Sequence, residues 1–289
     1  MPTVADAEQA LRVADALPHG VEQVAAAERA LGLADEIGDL RLRVQARINL
    51  VAAYDAAEPG QRELPHIAWL LGCLADERAS LQPARGVITD RQRFEILWAC
   101  RFALNRTRRS STIPLPVVHR IYGDIERHYR SEGLSPNLFA KHRSLLAHDI
   151  DDRAVVERWL RVWRDSPRDE LSDCEACDIA TDARFIAEAG DLQGALDRAT
   201  ELLEGRKGCD QEPHRLYGAA ADWAMRVRRV DAAEAFHRAG WLAICSRPGF
   251  VSAMGEHLMY LVRSNRPGRA VRLTLSVVPL LTDRAGQHL

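Results

Sequence analysis

Three observations predict an all-α fold for this chain, a solenoid (α-α superhelix) of antiparallel helix hairpins. Apolar residues recur at helical rather than strand spacing along nearly all of the 289 residues. Gly and Pro fall at places where one helix can stop and the next begin. The second half repeats itself with a period near that of a two-helix hairpin, as stacked helical repeats do.

The elements follow in order. A capping helix is expected near 3–17, then hairpins over roughly 21–57, 62–108 and 114–148, then repeats over 151–189, 191–229 and 231–265, and a last helix near 268–282. The breaks are Pro18-His19-Gly20, Gly38-Asp39, Glu58-Pro59-Gly60, Gly133, Gly190-Asp191, Pro248-Gly249 and Asn265 to Gly268. Leu81 to Thr89 reads as a loop, and Arg106 to Pro114 as another, either a surface loop or a hinge. The best strand signal, Leu273 to Pro279, lies inside a longer helical pattern and ends on proline, so helix is expected there. Residues 1–148 form the divergent half and 149–289 the clearer repeats, within one continuous solenoid.

The repeat shows in four segments, each a break, a short helix start and an alanine followed by an apolar stripe. They are Asp149 to Ala154, Gly190 to Ala195, Arg228 to Ala233 and Asn265 to Ala270, and their alanines stand 41, 38 and 37 residues apart. A small residue recurs where the second helix of a pair comes close to the first. Gly190-Asp191 with Ala195 and Leu196 resembles the inter-helix turn and small-residue position of the tetratricopeptide repeat (TPR). Ala30-Leu31 through Gly38-Asp39 to Asn49-Leu50 and Tyr54 resembles the end of one such repeat running into the next. The chain departs from the family in its stretched spacing and in Val51, where the family has glycine. The resemblance implies a TPR-like α-solenoid whose concave face binds a peptide or a partner protein.

Composition narrows the function classes. An apolar fraction of 47% and a charged fraction of 28% are those of a folded globular chain. Net charge is -2, which leaves no overall basic footprint for nucleic acid or an anionic membrane. The bases are almost all arginine, Lys141 and Lys207 being the lysines, which reads as a GC-rich, bacterial coding bias. No apolar run nears the ~20 residues of a membrane span. The start, Met1 to Asp6, lacks a basic stretch followed by an apolar core, so a cytoplasmic protein with reduced cysteines is expected.

Of the six cysteines, Cys73, Cys100 and Cys245 sit in apolar helical stretches and read as core positions. The other three form a candidate metal site. Cys174 and Cys177 make a C-x-x-C at a helix start, and Cys209 lies about one repeat later, in the turn that opens the next first helix. First helices of adjacent repeats pack about 8–10 Å apart, which brings Cys209 and His214 towards the C-x-x-C. Cys174, Cys177, Cys209 and His214 therefore form a candidate structural zinc set, with Asp173, Asp178 or Glu212 as substitutes for the histidine. Small buried thiols and a redox pair are the other readings of the same residues.

Catalytic motifs are not found: no H-E-x-x-H, no G-x-S-x-G and no phosphate-binding glycine loop. His128, His142, His148 and His237 read as exposed or half-buried structural histidines, and Trp98, Trp159, Trp163, Trp223 and Trp241 as packing residues. Candidates for a binding groove are Arg47, Arg101, Arg143 and Arg215, which can receive carboxylates, and Asn49, which the resemblance places as a groove asparagine. The leading expectation is a protein-interaction scaffold rather than an enzyme. The alternatives are a ligand- or peptide-sensing regulatory module and an enzyme using the cysteine-bound metal.

Overall fold

The computed structural model describes residues 1–57, 61–79 and 88–285. The chain is 76% helix, and the described residues form fifteen α-helices and no strand. Its compact units are Met1–Ser172 and Asp173–Leu289. The boundary expected at 148/149 falls inside a helix pair of the first unit.

The first unit holds α1 (Val4–Ala16), α2 (Val21–Ile37), α3 (Leu40–Ala57), α4 (Leu64–Ala79), α5 (Asp90–Arg109), α6 (Leu115–Ser131), α7 (Asn137–Asp149) and α8 (Arg153–Asp165). Local sequence accounts for several of the ends. Thr3 with Asp6 and Thr89 with Gln92 form reciprocal capping boxes at α1 and α5, and Gly38 closes α2 in the left-handed conformation. Each helix packs on its successor, and the odd-numbered helices also pack on one another, α1 on α3, α3 on α5 and α5 on α7. The main core joins α3 to α7 through Ile67, Leu70, Leu74, Ile96, Leu104, Ile125 and Phe139. Two tyrosines of α6 are fully sunk in it. Each satisfies its hydroxyl on an α5 carbonyl, Tyr122 on Leu104 at 2.9 Å and Tyr129 on Leu97 at 2.8 Å.

The second unit holds α9 (Glu175–Glu188), α10 (Leu192–Arg198), α11 (Thr200–Leu203), α12 (Tyr217–Arg226), α13 (Val230–Ile244), α14 (Val251–Arg263) and α15 (Pro267–Ala285). Its core is rich in alanine, including Ala180, Ala183, Ala195, Ala199, Ala220, Ala221, Ala224 and Ala233. Small side chains let the axes approach closely. Gly218 shows the limit, since a Cβ there would stand 2.8 Å from Glu256 Cβ and 3.1 Å from the His257 nitrogen, so α12 and α14 meet without an intervening side chain. The pairs are α9 with α10, α12 with α13 and α14 with α15, and in the first unit α7 with α8. They are offset by one helix from the grouping 151–189, 191–229 and 231–265.

The four repeated breaks share one geometry. Asp151, Gly190, Arg228 and Asn265 have φ of 57°, 98°, 64° and 59°, and stand 39, 38 and 37 residues apart. At each, the N–H of the left-handed residue bonds the carbonyl three back and the next N–H bonds the carbonyl five back. Gly190 to Ala187 with Asp191 to Ile186, and Arg228 to Met225 with Arg229 to Ala224, are two of the four instances. This is the Schellman closure, and the residue that completes it is also the N-cap of the following helix. The register corrects one alignment. Val156, not the exposed Ala154, stands where Ala195, Ala233 and Ala270 stand in the later copies.

Other expectations meet the structure directly. Leu273 to Pro279 lies within α15, as expected. Helix α5 runs on to Arg109, so the second loop is shorter than Arg106 to Pro114. The first loop, Leu81 to Thr89, and the break at Glu58-Pro59-Gly60 fall mainly outside the described residues. Trp163 and Trp223 are buried, and Trp98 and Trp159 pack against the first unit's core. Cys100 is fully buried, whereas Cys73 and Cys245 are half-buried. His142 and His237 are not exposed or half-buried: they are 2% and 1% exposed.

Candidate metal centre

Cys174 is the N-cap of α9, with extended backbone, and its sulfur accepts the Cys177 N–H at 3.4 Å. A C-x-x-C at a helix start does this naturally, because the N3 amide is one of the unpaired donors of the first turn. Cys177 sits one turn along. Cys209 reaches the pair from a tight turn before α12, in which its N–H bonds the Glu212 carbonyl at 2.8 Å and its sulfur accepts the Glu212 N–H at 3.4 Å. Gly208 belongs to that turn, where a Cβ would lie 3.1 Å from the Glu212 carbonyl oxygen. Lys207 reinforces the juxtaposition by bridging Glu175 at the start of α9 and Glu201 on α11.

The three sulfurs all lie within 4.8 Å of one another, and Cys177 Sγ stands 3.7 Å from Cys209 Sγ. Cys174 is exposed and the other two are half-buried. Burial pushes the Cys209 thiol up, but the backbone N–H groups of Glu212 and Gln211 and the thiols of Cys174 and Cys177 more than offset it, leaving it below its ordinary value. Three such sulfurs can hold a metal ion.

The fourth residue of the expected set does not join them. His214 stands outside the group of mutually close ligand atoms, its ring edge-on to Phe250 with centroids 6.1 Å apart. Its Nδ1 is buried without a hydrogen-bond partner, and burial, then Arg247, lowers its pKa. Asp173, Asp178 and Glu212 are likewise outside the group. Glu212 is buried. Its Oε2 has no partner, and burial, opposed by Arg184 and Arg215, pushes its carboxyl up to about 7.

The groove candidates are scattered over several elements. Arg47 is 8% exposed, bonds both oxygens of Asp35 at 3.0 Å and lies 4.0 Å over the Trp69 ring, so it packs among α2, α3 and α4. Asn49 donates to Asp15 at 2.7 Å and accepts from Gln45 at 2.8 Å, tying α3 to α1. Arg143 bonds Glu126 at 2.9 Å beside Tyr122 and Trp159. Arg101 stacks at 3.3 Å on Trp98 of its own helix. Arg215 lies over Phe250, and its carbonyl accepts a bond from Arg184, whose guanidinium also clamps Glu256 at 2.7 and 3.1 Å.

One constellation leaves no motif in the sequence. His237 on α13 and His257 on α14 are both buried, with their Nδ1 atoms 3.1 Å apart. Twenty residues separate them. The only sign of them in the chain is that each falls on the apolar stripe of its helix. Open surface depressions in the first unit include one lined by α1, α3 and the start of α5 and another by Arg158, Arg161 and the end of α8. Neither touches the cysteines. No protein-family model, curated protein or solved structure matches the chain.

Proposed function

We propose that the chain is a TPR-like helical-repeat scaffold that holds a peptide or partner protein along its rows of alternate helices. The observation that carries this reading is the four-fold recurrence of one helix-turn-helix closure at intervals of 39, 38 and 37 residues. A unit repeated in this way stacks on its neighbours and leaves the first helices side by side, the surface such repeats use for binding. The packing of α1 on α3, α3 on α5, α5 on α7 and α12 on α14 supports it. The polar tie from Asp15 through Asn49 and Gln45 to Gln92 runs across three of those helices. Arg101 and Arg215, two of the groove arginines expected from the sequence, are the residues substituted in the test. The test is affinity capture from the native host with the unmodified chain and with Arg101→Glu/Arg215→Glu. A partner bound in molar proportion and lost in the double variant is expected, and equal capture by both overturns the assignment of those residues.

We further infer that Cys174, Cys177 and Cys209 hold zinc as a structural staple between α9 and the turn before α12. A tetrahedron of about 2.3 Å Zn–S bonds has edges of about 3.8 Å, and the Cys177–Cys209 separation of 3.7 Å is close to that edge. Zinc would supply a cross-link beside a core in which alanine is the commonest residue. His214, which faces Phe250, would not be among the ligands in this arrangement, so the three thiolates would hold the ion. A thiolate set of this kind belongs in a reducing compartment, the cytoplasm. Elemental analysis of the purified chain should find about one zinc per molecule, and much less in Cys177→Ser. Metal-free protein from a zinc-replete preparation would rule the staple out.

A further inference from the structure

We propose that Cys177 and Cys209 are an oxidation site, closing to a disulfide in the presence of hydrogen peroxide. The proposal stands on placement. Their sulfurs are 3.7 Å apart, and a disulfide needs about 2.05 Å. The two thiols come from different segments, α9 and the turn before α12, so the bond would tie together parts of the chain 32 residues apart. They lie in a cluster that reaches the surface at the exposed Cys174, whereas Cys100 is fully buried and out of reach of an oxidant.

The chemistry balances with one equivalent of peroxide. One of the two sulfurs attacks a peroxide oxygen. The O–O bond breaks, and a sulfenic acid forms as the first water leaves. The second sulfur then attacks the sulfenic sulfur, the S–O bond breaks, and the hydroxide departs with the thiol proton as the second water. Two thiols are oxidised by two electrons, and one peroxide is reduced to two waters. In the zinc-bound form, which rests on the zinc reading above, two ligands are consumed at once. Cys174 alone remains as a thiolate, so the metal is released.

The experiment uses the full chain, as purified and after metal stripping, titrated with hydrogen peroxide and then alkylated under denaturing conditions. Two of the six thiols should be lost. Peptide mapping should find Cys177 linked to Cys209, with recovery of both by dithiothreitol. Cys174→Ser should retain the link, and Cys209→Ser should lose it. A chromogenic chelator should report zinc release in step with thiol loss. If the purified chain carries no zinc yet the link forms in both preparations, the zinc reading fails and the oxidation site stands. Six intact thiols, a Cys174–Cys177 link in its place, or irreversible oxidation of Cys174 alone would overturn the proposal. Because the mapping is done on the unmodified chain, it decides the matter even if a variant fails to fold.

Discussion

The buried histidine pair is where single atoms have the largest consequences. His257 Nε2 is buried with no hydrogen-bond partner, so a proton placed there would be an orphan donor. A proton on His257 Nδ1, shared with His237 Nδ1 at 3.1 Å, avoids that orphan. Burial, then Arg269, lowers the His237 pKa to about 4, with Arg266 adding to this and Glu234 opposing it; burial, then His237, lowers that of His257 to about 3. The fold thus favours the neutral rings. The stabilisation is complete above about pH 6.5, where the unfolded rings are also neutral, and is lost as pH falls from there towards 4 and 3, by at most about 1.4 kcal/mol per pH unit for each ring. Urea midpoints across pH 7 to 4 should fall more steeply for the unmodified chain than for His257→Leu. Gly240 walls the same pair: a Cβ would lie 2.4 Å from Tyr217 Cβ and 2.7 Å from the His257 ring. Gly240→Ala should cost about 1–3 kcal/mol by overpacking, read as a drop in the denaturation midpoint with the slope unchanged.

At the scale of the element, the link between paired helices is the feature most open to test. Each link has one residue with positive φ, between 57° and 98°, and three of the four use a side-chain-bearing residue. Arg228 is exposed, and at φ 64° it bears a left-handed cost that glycine escapes. Arg228→Gly should raise stability by about 1 kcal/mol, and Gly190→Val should lower it by about as much or more, both by equilibrium denaturation. Helix α9 begins on a cysteine cap whose sulfur is also a proposed metal ligand. Cys174→Ser keeps an oxygen for the cap and removes a thiolate, so it should weaken metal retention while leaving helicity by circular dichroism nearly unchanged.

At the scale of the molecule, the two compact units differ in what holds them. The first buries tyrosine, phenylalanine, leucine and isoleucine in a core spanning five helices. The second is built on alanine, glycine-mediated contact and the cysteine cluster. Chelation should therefore act mainly on the second unit. With zinc bound, addition of a strong chelator should lower its unfolding temperature and leave hydrogen exchange in α3 to α7 unaffected, a contrast that amide exchange with mass spectrometry resolves.

The helices, their breaks, the internal period and the nearness of Cys209 to the C-x-x-C were legible in the chain, because each rests on local chemistry or on the length of one repeat. Glycine at Gly190 announces its turn, whereas Asp151, Arg228 and Asn265 take the left-handed conformation without a glycine to mark it, so the register of the first copy, with Val156 rather than Ala154, emerges only in the fold. A repeat length brings His214 near the cysteines but says nothing of the direction its ring takes, and packing against Phe250 decided that. Arg47 and Arg143 read as groove arginines, whereas Asp35, Trp69 and Glu126, from neighbouring helices, engage them within the fold. His237 and His257 have no spacing rule, since contact between α13 and α14 depends on how closely glycine and alanine let the axes approach. Helix formation is a property of neighbours in sequence. Which side chains meet is a property of packing, and it was decided only when the helices closed on one another.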